Sequence, residues 1–103
     1  HYAPHAQVLV VEDIDAALAS AAARARAGER TGLLTPRAVT VPEGVTALVA
    51  GDMPEAYAAV LYDRLREADR LGLDLLVVVP PPAEGVGVAV RDRLARAAAG
   101  SAR

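Results

Sequence analysis

Residues 54–80, PEAYAAVLYDRLREADRLGLDLLVVVP, carry the reading that decides the fold. Tyr57, Val60, Leu61, Leu65 and Ala68 recur at three- and four-residue steps, which places them on one face of a helix. Asp63, Arg66, Glu67 and Arg70 fall largely on the other face, a mixed-charge ladder of the kind that stays solvated. Pro54 suits the first turn, where its missing N–H has no intrahelical partner to lose, and Asp52 or the residue after it stands where a cap belongs. Gly72 closes the helix, so the expected span is Pro54–Leu71. Leu73–Val79 then runs apolar without alternation, as a strand does when both faces are covered in the middle of a parallel sheet.

Working outward, the same grammar repeats. Gln7–Val11 (QVLVV) reads as a buried strand. A helix follows it, with Glu12, Asp13 and Asp15 at its start, Arg24 and Arg26 at its end and Gly28 beyond, the charge order that complements a helix dipole. Ile14, Leu18, Ala21, Ala22 and Ala25 form its expected buried stripe. Thr31–Thr35 is a short strand ended by Pro36, and Ala38–Val41 reads as another, ended by the turn Pro42-Glu43-Gly44. Val45–Ala50 is one more, stopped by Gly51-Asp52. After Pro80-Pro81-Pro82 a last helix is expected from Gly87 to Ala99, with Gly100 as its stop. Strands alternating with helices predict an α/β fold: a small Rossmann-like three-layer sandwich with a mostly parallel sheet of about five strands.

Bulk composition narrows the function. The 103 residues make one domain, and a core without Phe or Trp must be built from Val, Leu and Ala. No cysteine is present, which removes disulfides and thiolate metal sites. A net charge of −2 gives no electrostatic pull towards nucleic acid or an anionic membrane, and no apolar run approaches the roughly 20 residues that cross a bilayer. The expectation is a soluble cytoplasmic domain with no direct nucleic-acid partner and no membrane. The chain opens His1-Tyr2-Ala3-Pro4, and Met53, its one methionine, lies mid-chain, so the numbering is expected to begin within a longer protein.

Two stretches carry a family resemblance. His1-Tyr2-Ala3-Pro4 resembles the end of the linker that joins the two domains of Sua5-type threonylcarbamoyl-AMP synthases. Glu55–Asp69, Gly72-Leu73-Asp74 and Glu84–Ala98 are similar to that family's C-terminal succession of an LRELD helix, a strand and a GLGxAIxxRLxRAA helix. Tyr62 and Ala95 depart modestly from that pattern. The resemblance covers essentially the whole chain and implies linker over residues 1–6 and an α/β domain over 7–103. It implies a parent enzyme that makes threonylcarbamoyl-AMP and pyrophosphate from threonine, bicarbonate and ATP, for N6-threonylcarbamoyladenosine in tRNA. In the family the chemistry belongs to a YrdC-like catalytic domain with Lys-x-Arg and Ser-x-Asn elements, which this chain lacks. ATP with magnesium is therefore implied for the parent's catalytic domain, and no cofactor for this part, which is expected to be a non-catalytic accessory domain that docks on that partner domain and gates it.

The candidate site residues follow. His1, Tyr2 and Pro4 form a strap facing the catalytic domain, since Pro4 favours extended backbone for the residue before it. A metal pair of His1 and His5 is disfavoured by Pro4 between them and by the want of a third ligand. Gly85 and Gly87 stand before a helix, where N–H groups meet anions, or else serve only close packing. Arg91, Arg93 and Arg96 are candidate contacts to an anion or to the catalytic domain, or else solvated surface; Asp92 and Arg96 are spaced to pair. Asp69 and Asp74 do not make an acid/base pair, because one ends a helix and the other opens a strand. The competing function is a stand-alone module that binds a small ligand or nucleotide beyond the strand ends, near Gly51-Asp52 and Pro80–Gly87.

Overall fold

In the computed structural model, which describes residues 4–101, the strands are β1 (Gln7–Val10), β2 (Thr31–Thr35), β3 (Val45–Val49) and β4 (Leu75–Val78), and the helices are α1 (Ile14–Arg26), α2 (Pro54–Arg70) and α3 (Val86–Ser101). The sheet order is β1-β4-β2-β3 and every pairing is parallel. The unbroken LLVV run of β4 is thereby explained: it lies between β1 and β2 and is buried along its whole length. Alternate residues serve opposite faces. Leu33, Val45, Leu75 and Val77 pack with Ala17 and Ala21 of α1, whereas Leu34, Leu48, Leu76 and Val78 pack with Tyr57, Leu61 and Leu65 of α2 and Val90 and Leu94 of α3. Helices therefore cover both faces, and the expected three-layer sandwich is present.

The strand count is four among the described residues, one fewer than the pattern suggested. Ala38–Val41 does not pair; it belongs to the connection that carries the chain back from the end of β2 to the start of its parallel neighbour β3. Val39 and Val41 pack against the α1-side cluster, so their apolar character reflects cover for the sheet and not membership of it. The stripe of α1 is also shifted: Ala17 and Ala21 are buried deepest, Ile14, Leu18 and Ala25 flank them, and Ala22 is only half-buried. Gly100 does not stop α3, which runs through it to Ser101.

On each outer strand a side chain takes up one outward-facing ladder group. On β1 the N–H of Val8 donates to Ser101 Oγ at 2.8 Å, and on β3 the carbonyl of Val49 accepts from Arg64 Nε at 2.8 Å. Each such contact leaves one fewer open ladder position for pairing with other chains.

Candidate functional site

Because every strand runs the same way, the strand starts gather at one pole and the strand ends at the other. The described chain begins at the starting pole. Pro4 is buried there. The N–H of His5 donates to both carboxylate oxygens of Asp69, at 3.0 and 3.1 Å, and the N–H of Ala6 donates to Oδ1 of the same group at 3.0 Å. The N–H of Gln7 then reaches the Asp74 carbonyl at 2.9 Å, and that of Val8 reaches Ser101. Four consecutive N–H groups are thus taken up by the end of α2, the approach to β4 and the end of α3. Asp74 uses its side chain on another segment, accepting from the Arg30 N–H at 2.8 Å before β2. His1 and Tyr2 lie outside the described residues, so of the three residues expected to form a strap only Pro4 is placed.

The ending pole holds the glycine loop and Arg91. Arg91 Nη1 donates to the Pro81 carbonyl at 2.8 Å, and Nη2 pairs with Glu12, tying α3 to the turn after β1. Arg93 and Arg96 do not converge on it: both are exposed, and Arg96 pairs with Asp92 at 2.6 Å, one turn away on the same helix. A side chain on Gly87 would fall on the Pro82 carbonyl oxygen and near Pro54, so the loop's closure over α2 accounts for that glycine. Gly85 is exposed with φ of +54°, a conformation that L side chains rarely adopt. At the ends of β2 and β3, Arg37 and Asp52 pair across the surface at 3.1 Å, and this contact raises the arginine's pKa.

Between α3 and the free edge of β1 runs a groove of about 620 Å³, lined by Val8, Val10, Glu12, Pro80, Arg91 and Ala95 among others. Among the described residues no three His, Cys, Asp or Glu side chains are placed to hold a metal ion, and no helix is long and apolar enough to cross a membrane. The strap entry and the glycine loop stand at opposite poles, so the expected site residues do not form one cluster. Asp69 is the functional candidate that pattern reading passed over. The available signal was its position: an acid in the last turn of a helix opposes the dipole and calls for a compensating donor.

The model of the family described as threonylcarbamoyl-AMP synthase, C-terminal domain, matches residues 1–99. The threonylcarbamoyl-AMP synthase of Pyrococcus abyssi is 30% identical across 94% of this chain, which spans only 29% of that protein. The structure of P. abyssi Sua5 complexed with L-threonine superposes with a TM-score of 0.84 at 29% identity, covering 98% of this chain and 30% of the other. A crystal structure of the C-terminal Sua5 domain from Pyrococcus horikoshii shares the fold, with a TM-score of 0.66 at 24% identity over 90% of this chain and 93% of that one. From the match across residues 1–99, the chain belongs to the threonylcarbamoyl-AMP synthase C-terminal domain family.

Proposed function

We propose that residues 7–103 are the non-catalytic accessory domain of an L-threonylcarbamoyladenylate synthase, and that residues 1–6 are the end of a strap by which it docks on and gates a YrdC-like catalytic domain. The observation that carries this reading is the partial span: the chain accounts for about 30% of relatives named for the whole reaction, and matches the family's C-terminal part. The polar groups of the described residues fit an accessory role. Asp69 and Asp74 hold backbone N–H groups, and Arg91 is engaged by Glu12 and Pro81. In this reading ATP, magnesium, threonine and bicarbonate are bound by the catalytic domain, and the domain described here controls entry of ATP or release of product, as lids do in other enzymes. The P. abyssi protein has also been solved with a consecutive histidine and tyrosine both replaced by alanine, and His1-Tyr2 is a consecutive pair of the same types.

The test compares threonylcarbamoyl-AMP formation by the parent enzyme with that of its catalytic half lacking residues 1–103. The expected result is a fall in kcat/KM of at least about tenfold, on the scale at which loss of a positioning element acts. Unchanged kinetics would overturn the gating role and favour a stand-alone ligand-binding module, to be sought by calorimetry with ATP, AMP and threonine.

A further inference from the structure

We infer that Asp69 is the positioning residue of the strap: its carboxylate fixes the point from which the chain leaves the domain, and so sets the strap over the catalytic half. The inference rests on the gating role proposed above. Three observations carry it. Asp69 accepts the N–H groups of both His5 and Ala6, the first residues after buried Pro4, so one side chain holds two successive peptide units. It sits in the last turn of α2, where the helix dipole alone disfavours an acid and contacts to N–H donors offset that cost. The next two residues are held as well, Gln7 by the Asp74 carbonyl and Val8 by Ser101, so the chain is stitched to the domain from His5 onward, directly after buried Pro4.

The Asp74 side chain supplies the control, because Gln7 is held by the Asp74 backbone carbonyl, which alanine keeps. It is a carboxylate at the same pole that caps a backbone N–H, that of Arg30, but on the approach to β2 and away from the strap. In the full-length parent, Asp69→Ala, Asp69→Asn and Asp74→Ala are compared by melting temperature, by kcat and KM for ATP and threonine, and by the rate of protease cleavage within residues 1–6. Asp69→Ala is expected to lower kcat/KM by about tenfold, as misplacement of a positioning group does, and to speed strap cleavage. Asp69→Asn keeps one acceptor oxygen and is expected to lose less, so it carries the test if the alanine variant does not fold. Asp74→Ala is expected to lose comparable thermal stability while kinetics and strap cleavage stay as in the wild type. Equal losses in Asp74→Ala and Asp69→Ala, or none in Asp69→Ala, overturn the assignment. The double change His1→Ala and Tyr2→Ala separates the two levels: if it impairs turnover while Asp69→Ala does not, the strap matters and the anchor is wrong. If both are silent, the gating role falls together with the anchor.

Discussion

Among single residues, Tyr57 shows how a polar atom is accommodated in a core otherwise built from aliphatic side chains. It is fully buried, and its hydroxyl donates to the Val79 carbonyl at 2.9 Å, joining α2 to the end of β4. Burial raises its pKa well above the usual phenol range, because the phenolate would have to form away from water. Replacing Tyr57 by Phe leaves that carbonyl unpaired, with an expected loss of about 1–2 kcal/mol. The pH dependence has a definite sign. The folded value lies above the unfolded one, so the contribution of the neutral phenol is complete below about pH 10 and is lost as the pH rises beyond it. Urea midpoints measured from neutral to alkaline pH should fall more steeply in the wild type than in Tyr57→Phe. Parallel slopes would show that Tyr57 ionises freely in the folded state. The tyrosine's place on its helix was legible from spacing, whereas its hydrogen bond was not, since Val79 meets it only once β4 is docked. Asp69 was illegible as an anchor for the same reason: its partners lie more than sixty residues away.

At the level of elements, the two caps differ. Asp13 caps α1 by accepting from the Ala16 N–H at 2.9 Å, whereas Met53 occupies the equivalent place before α2, exposed and with no side-chain bond. Met53→Ser supplies the missing acceptor and is expected to stabilise the domain by about 0.5–1 kcal/mol. A rise of several degrees in melting temperature would bear this out. A fall would mean that Met53 makes an apolar contact worth more than a cap. Helices and strands that bury a periodic face were readable because burial itself writes the pattern: α2, β2 and β4 lie where spacing put them. Ala38–Val41 misled because residues that cover a sheet are as apolar as residues within it. Gly100 misled because a glycine interrupts a helix only when the chain must turn there. In α1 the deepest position went to Ala17, a small residue that lets the helix approach β2 and β4 closely, and hydrophobicity alone does not mark such a position.

For the whole molecule, the decisive feature is that one sheet serves two cores. β2 gives Leu33 to the α1 side and Leu34 to the α2–α3 side, and β4 gives Leu75 and Val77 to one and Leu76 and Val78 to the other. Neither cluster keeps its shape if the strands separate, so the two layers of helices cannot melt independently. The isolated chain is therefore expected to unfold in urea as a single transition, with an m value of about 1–2 kcal/mol/M. Far-UV ellipticity from the helices and the near-UV tyrosine signal, to which buried Tyr57 contributes, should trace the same curve. Loss of the tyrosine signal ahead of the helical one would mean that the α2–α3 layer loosens first. That result would also weaken the proposed anchoring by Asp69, because Asp69 and Ser101 belong to that layer. A coincident transition, in contrast, makes the domain a single body. The proposed docking on a catalytic half would then engage that body as a unit.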